Sequence, residues 1–170
     1  IRLHNPYTTD QWLDLIDGIV ERHPWPRQAV YFQVTRGVAK RDHAFPAGVA
    51  PTVFITTSPW PAVPIEQVER GIAVVTHADE RWLHCDIKSI SLLGNVLMKQ
   101  HAVELGAFET VMLRDGFLTE ASSANVMVVK NGTLLAPRPS VQILPGITCD
   151  ASYDLAKQHD LPLELRPVSE

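Results

Sequence analysis

The sequence predicts a protein of the α+β class, mixed α/β in composition and built as two unequal lobes. Three observations lead there: segments of helical period alternate with β-branched runs, two Asx-Gly dipeptides are each flanked by such runs, and one proline-dense stretch interrupts the chain. At 170 residues, 45% hydrophobic and 20% charged, the chain has an ordinary globular make-up, with length for one domain or two lobes.

The elements follow in order. "TTDQWLDLIDGIVERH" sets Thr8 and Gln11 at capping-box spacing and then Trp12, Leu13, Leu15, Ile16, Ile19 and Val20 at helical intervals, which predicts the first helix. "AVYFQVTR" and "PTVFITTS" are β-branched and aromatic runs joined by a polar, glycine-containing loop, the pattern of two paired strands. "SPWPAVP", Ser58 to Pro64, carries three prolines and continues neither helix nor central strand, so a lobe boundary is expected there: 1–58 the smaller lobe, 59–64 a linker, 65–170 the larger lobe. "GIAVVT" reads as a strand, and "SLLGNVLMKQHAVELG" as a helix stopped by Gly106. "ETVMLRDGFLTE" folds about Asp115-Gly116 and "NVMVVKNGTLLAP" about Asn131-Gly132, the strongest short hairpin signals available. "ILPGITCDASYDLAKQH" gives a loop, a glycine and a last helix, before the strand "LPLELRPV". The chain opens at Ile1 and stops just past that strand, so truncation at both ends is expected.

Charge narrows the function classes. A net charge of −4 and scattered lysines and arginines offer no basic field for nucleic acid. No apolar run approaches the ~20 residues that cross a bilayer, and a cytoplasmic protein is expected. Cys85 and Cys149 form no CxxC pair and are expected to be small buried hydrophobes in a reducing compartment. The histidines and cysteines show no ligand spacing, so no metal site is assigned.

Four features could carry chemistry. Lys88, in "HCDIKSISLLGNVLMKQ", precedes a predicted helix, where the positive end of the dipole disfavours an ammonium by roughly 0.3–1 kcal/mol. "LPGIT", Leu144 to Thr148, puts Gly146 at a helix mouth where the free amides of Ile147 and Thr148 and a threonine hydroxyl could cradle a phosphate; an ordinary helix start has the same shape. "LTEASSAN" places Glu120 at a strand end, before Ser122 and Ser123. A pyridinium nitrogen is one partner that would need such a carboxylate, and a polar turn whose serines bond their own backbone is the bland alternative. In "KRDHAFP", Arg41 and His43 share a face if the segment is extended and could converge on one carboxylate; otherwise they are solvated loop charges.

The segments "VYFQVTRGVAKRDHAFP", "RWLHCDIKSISLLGNVL", "RDGFLTEASSANVMVVKNG" and "ILPGIT", taken in order, resemble the fold-type IV pyridoxal-phosphate enzymes over nearly the whole chain. This is the superfamily of branched-chain and D-amino-acid aminotransferases, and the likeness is greatest to its D-amino-acid branch. The resemblance implies pyridoxal 5'-phosphate as cofactor, a homodimer, and transamination between a D-amino acid such as D-alanine and a 2-oxo acid such as 2-oxoglutarate. On that reading residues 1–58 belong to the small N-terminal α/β domain and 65–170 to the large cofactor-binding domain.

The resemblance also implies roles. Lys88 would be the Schiff-base lysine and proton carrier, its basicity lowered mainly by burial and neighbours. Glu120 would pair with the pyridine nitrogen, Ile147 and Thr148 with Gly146 would bind the phosphate, Leu144 would lie under the ring, and Ser122 and Ser123 would line the pocket. Arg41 and His43 would trap the substrate carboxylate, which favours D over L substrates. His84 stands where close relatives usually have arginine, and Ala121 where they usually have glycine. The family's N-terminal arginine on the phosphate, its N-terminal aromatic and its later hydroxyl loop do not fall within these 170 residues. A branched-chain L-amino-acid transaminase, an (R)-amine transaminase or an aminodeoxychorismate lyase would share Lys88 and Glu120. From a different class, an inactive structural fragment would share the fold.

Overall fold

The computed structural model describes residues 1–169 and divides into two compact units, Ile1–Ile65 and the chain from Glu66 on. In the first unit, α1 (Thr9–Val20) begins with both reciprocal bonds of the capping box. Gln11 N–H donates to Thr8 Oγ1 at 3.3 Å, and Thr8 N–H donates to Gln11 Oε1 at 2.9 Å. β1 (Gln28–Thr35) pairs antiparallel with β2 (Thr52–Pro59), in a register running from Gln28↔Pro59 to Thr35↔Thr52. Trp12 of α1 packs on Phe32 of β1, with ring centroids 5.3 Å apart. A single helix over a two-stranded ribbon encloses little, and no residue of this unit is fully buried.

The connection over residues 36–51 is closed at its neck. Gly37 sits at φ 111°, and a Cβ there would meet the Ala50 carbonyl oxygen at 2.1 Å, so only glycine fits. Arg36 lies over the Phe45 ring, 3.5 Å from its centroid.

The division falls at the first residue of α2 (Ile65–Arg70), a helix with no signature in the sequence because six residues are too few to show a helical period. β3 (Val74–Ala78) leads through α3 (Leu93–Glu104) to β4 (Glu109–Arg114), which lies parallel to it; β4 then turns at Asp115-Gly116 into antiparallel β5 (Phe117–Ala121). A second sheet repeats the ingredients in another order. β6 (Val128–Lys130) and β7 (Thr133–Ala136) form a hairpin, and α4 (Ile147–Gln158) returns the chain to β8 (Leu163–Leu165), parallel to β7. Both hairpin dipeptides have φ > 0 at each residue, 52° and 78° at Asp115-Gly116 and 51° and 78° at Asn131-Gly132, the backbone that a two-residue turn demands.

Both long helices end as the sequence implies. After α3, Gly106 N–H donates to Val103 O and Ala107 N–H to Ala102 O, with Gly106 at φ 70°, a Schellman cap. After α4, Asp160 takes the same left-handed place at φ 52°. Leu118, Leu135 and Val168 form the buried core, flanked by Val111, Val126 and Val128. Met112 and Ala102 are buried where β4 meets α3, and Thr110 Oγ1 donates to Met98 O at 2.6 Å.

One irregularity positions the chemistry. The β4–β5 pairing runs Leu113↔Leu118 and then Val111↔Ala121, so Thr119 and Glu120 together oppose Met112. Such a bulge re-aims side chains, and both residues are buried.

Candidate active site

A cavity of about 620 Å³ in the second unit is lined by Lys88, Glu120, Ser122, Ser123, Leu144, Gly146, Ile147 and Thr148. These residues come from the stretch before α3, the end of β5 and its following turn, and the loop that enters α4. The eight positions singled out in the second unit therefore share one enclosure.

Glu120 is the best fixed of them. Its Oε1 accepts from Arg81 Nη1 at 2.5 Å, and its Oε2 accepts from Leu144 N–H at 3.1 Å and Asn125 Nδ2 at 3.2 Å. A carboxylate has about four lone-pair sites, so one on Oε1 is left over by these three bonds. Burial pushes the Glu120 carboxyl above the usual carboxylate range, against the opposing pull of Arg81 and of the Leu144 amide. Asn125 also donates to Leu144 O at 2.9 Å, which locks the α4 entry loop to the turn after β5. A Cβ on Gly146 would come within 2.0 Å of Asn125 Oδ1, so the glycine is needed for this close approach as well as for its open helix mouth.

Behind Glu120 stands a charge cluster that the sequence reading did not foresee. Arg81 donates from Nε to Asp79 Oδ1 at 2.9 Å, from Nη2 to Asp79 Oδ2 at 3.0 Å, and from Nη2 to Gln142 O at 3.2 Å. Thr119 Oγ1 donates to Asp79 Oδ2 at 2.8 Å, and Arg114 Nη2 approaches Asp79 Oδ1 to 3.2 Å. Burial alone would raise the Asp79 carboxyl; the hydrogen bonds from Arg81 and Thr119 outweigh it and hold the group below its ordinary range.

The serines bond neither their own backbone nor a free lumen. Ser122 and Ser123 donate their hydroxyl protons to Glu109, the former to Oε1 and the latter to Oε2 at 2.7 Å. A hydroxyl has one proton, so both offer the cavity lone pairs only. Glu109 is itself buried, which works to raise its carboxyl, but Ser122, Ser123 and the Thr110 amide bring it below the ordinary range.

Asp79 and Glu109, with lowered folded-state values, contribute stability that is present above their unfolded values of about 3.8 and 4.5 and is lost as pH falls through the lower folded ones. Glu120, shifted the other way, offsets part of that loss. Acid unfolding is therefore expected to steepen below about pH 4. Glu109→Gln should flatten that limb in a circular-dichroism titration; an unchanged limb would remove Glu109 from the account.

Several expectations need correction. Lys88 is exposed rather than buried, and α3 begins at Leu93, so the lysine lies outside the first turn, where the helix dipole has faded. Arg41 and His43 belong to an irregular connection rather than an extended segment, so strand alternation does not place them on a common face. His43 N–H donates to Asp42 Oδ1 at 2.6 Å, and both Arg41 and His43 are exposed in the first unit. Cys85 is buried as expected, but Cys149 is only half-buried and both thiols line the cavity. Ala121, in place of glycine, is buried in β5 with no positive φ, so the turn needs no glycine there.

At the entrance to α4, Gly146 is the N-cap with no side-chain cap bond, and the first amides of the helix have no partner within it. Ile147 and Thr148 are exposed at the cavity wall. The cavity lining therefore comprises the Lys88 amine, the Glu120 carboxylate with a spare lone pair, two amides without a partner in their helix and an apolar residue, Leu144. No group of three or more potential metal ligands occurs among the described residues, and none of their helices is long and apolar enough to cross a membrane.

A curated D-alanine aminotransferase of Staphylococcus epidermidis is 35% identical over 159 residues, covering 93% of this chain and 56% of its own length. This chain thus spans little more than half of that relative. Among solved structures, the Escherichia coli branched-chain amino acid aminotransferase superposes with a TM-score of 0.87 at 23% identity, covering 99% of this chain and 58% of that one. A hypothetical aminotransferase from Mycobacterium tuberculosis, in its alpha-ketoglutarate and PMP bound form, gives a TM-score of 0.79 at 23% identity, over 97% of this chain and 60% of that one. At these identities the two structures speak for the fold. The sequence model of the Amino-transferase class IV family matches residues 1–170, the whole chain, which therefore belongs to the class IV amino-transferases.

Proposed function

We propose that this chain supplies the cofactor cavity of a pyridoxal 5'-phosphate aminotransferase that acts on D-amino acids such as D-alanine, with a 2-oxo acid such as 2-oxoglutarate as acceptor. The observation that carries this reading is that Lys88, Glu120 and the open amides of α4 line one cavity. Their chemistry fits the cofactor group by group. The amides of Ile147 and Thr148 suit a phosphate, the spare Oε1 lone pair of Glu120 suits a protonated ring nitrogen, and Leu144 suits the apolar ring face. When bound, the cofactor supplies an electron sink for the α-carbon of an amino acid.

The rest is done by the chain. Lys88 would hold the cofactor through its Nζ amine and would carry the substrate's α-proton on that same nitrogen. Glu120 would accept a hydrogen bond from the protonated ring nitrogen and so keep the proton there, and the Glu109-bound serines would add acceptors on one wall. Arg41 and His43 of the first unit would hold the substrate carboxylate, and their pairing favours D-amino acids, as does the name of the Staphylococcus relative. The first unit is then part of the small domain and the second part of the cofactor domain of a cytoplasmic homodimer.

Incubation with pyridoxal 5'-phosphate, borohydride reduction and peptide mapping should label Lys88. A panel of D- and L-amino acids with 2-oxoglutarate should yield keto acid from the D series. Arg41→Ala should raise KM for D-alanine by about 10-fold or more, the worth of one charge-assisted hydrogen bond, with kcat little changed. No adduct at Lys88 would sink the enzyme reading, and turnover of L-leucine ahead of D-alanine would move the chain to the branched-chain side.

A further inference from the structure

Arg81 has no part in the roles assigned above, yet it makes the shortest bond to Glu120. Its side chain is 4% exposed, gripped on two nitrogens by Asp79 and on Nη2 by Gln142 O. Its stem is fixed as firmly as its head. A Cβ on Gly94, in the first turn of α3, would come within 2.9 Å of Arg81 Cγ, so the helix backbone lies directly against the arginine. Asp79 shares the guanidinium charge, so that charge is not spent on Glu120 alone, and Thr119 and Arg114 hold Asp79 in turn.

We propose that Arg81 is the positioning residue for Glu120, fixing its carboxylate as an ionised acceptor whose remaining Oε1 lone pair is offered to the cavity. What that lone pair accepts, the N–H of a pyridine ring, rests on the cofactor reading above. The geometry is that of a rigid arm. Asp79 and Gly94 set the guanidinium, the guanidinium sets Oε1, and Leu144 N–H with Asn125 sets Oε2, leaving the carboxylate no rotational freedom. The charged and titratable groups round it are Arg81, Asp79, Arg114 and Cys85, with Lys88 and Cys149 on the cavity wall. Burial favours the neutral acid and Arg81 opposes it, so loss of the arginine leaves burial in control.

The test begins without cofactor. Infrared difference spectroscopy of the full chain, with Glu120→Gln to assign the band, reads Glu120 protonation directly. At pH 7 the wild type should lack a protonated-carboxyl band from Glu120, Arg81→Met should gain it, and Arg81→Lys, which retains a cation, should largely lose it again. Gly94→Ala, which pushes the arginine stem aside without removing a charge, should move the Glu120 titration toward higher pH. A protonated Glu120 in the wild type, or an ionised one in Arg81→Met, overturns the proposal. Should Arg81→Met fail to fold, an unshifted titration in Gly94→Ala overturns it instead.

A second arm uses 15N-labelled pyridoxal 5'-phosphate. The ring nitrogen should be protonated in the wild type and less so in Arg81→Met, with Kd raised about tenfold. Failure of the wild type to bind the cofactor would sink the functional reading and leave the infrared result standing. Binding with unchanged ring protonation and Kd in Arg81→Met would sink the role of Arg81 alone.

Discussion

On the cofactor reading proposed above, replacement of Lys88 by alanine should abolish the borohydride-stable adduct and lower the transamination rate by at least about 10³-fold, since on that reading Lys88 is both the covalent amine and the proton carrier. Folding should hardly notice. Lys88 is exposed and makes no hydrogen bond or ion pair among the described residues, and surface changes of that kind cost within about 0.5 kcal/mol. Lys88→Arg should be as inactive as the alanine variant, because a guanidinium cannot be deprotonated in a protein. Rate assays beside thermal melts separate the two effects, and a Lys88→Ala protein with wild-type turnover would end the case for this cavity as the seat of catalysis.

The second large effect is on stability. Asp79→Ala would strip partners from Arg81 Nε and Nη2, Arg114 Nη2 and the Thr119 hydroxyl at once, in a site where the Asp79 side chain has no exposure and that of Arg81 has 4%. Breaking a buried pair costs roughly 3–5 kcal/mol because it leaves an uncompensated charge. A fall in Tm of more than about 10 °C is expected. The contrast is Asp154→Ala, which cuts a 3.6 Å pair to Lys157 whose side chains are both 70% exposed; screening makes that loss near zero. Calorimetry of the two variants should rank them without overlap, and equal melting points would show that the cluster is decorative.

What the sequence reveals about this fold depends on how local each signal is. The Thr8–Gln11 cap, the two Asx-Gly turns and Gly106 are readable because all of their partners lie within a few residues. The parallel pairings of β3 with β4 and of β7 with β8 leave no such trace, since each is decided by how a whole helix folds back. In the site, Lys88, Glu120 and the α4 entrance stand out by motif and family likeness. Asp79 and Arg81 do not, because two charges in an irregular stretch read as solvated until the β5 bulge and α3 close over them. A local reading of the serines misses their partner: Glu109, 13 residues before Ser122, accepts a hydrogen bond from each hydroxyl. For Arg41 and His43 the spacing decides nothing, and the pair rests on family likeness alone. Their spacing carries geometric meaning only in a strand, and the chain there bends.

Glu120 follows the Asp115-Gly116 turn by four residues, while its partners Arg81 and Leu144 lie 39 and 24 positions away. A hairpin of this kind forms in roughly 1–10 μs, far faster than contacts of long sequence separation are gathered. On these timescales the ribbon bearing the anion is the local contact to make, and the ion pair that encloses it is the distant one, at the larger cost in loop closure. During synthesis the order favours the cell: Asp79 and Arg81 leave the ribosome first, so the nascent chain holds its counter-charge before Glu120 has been made.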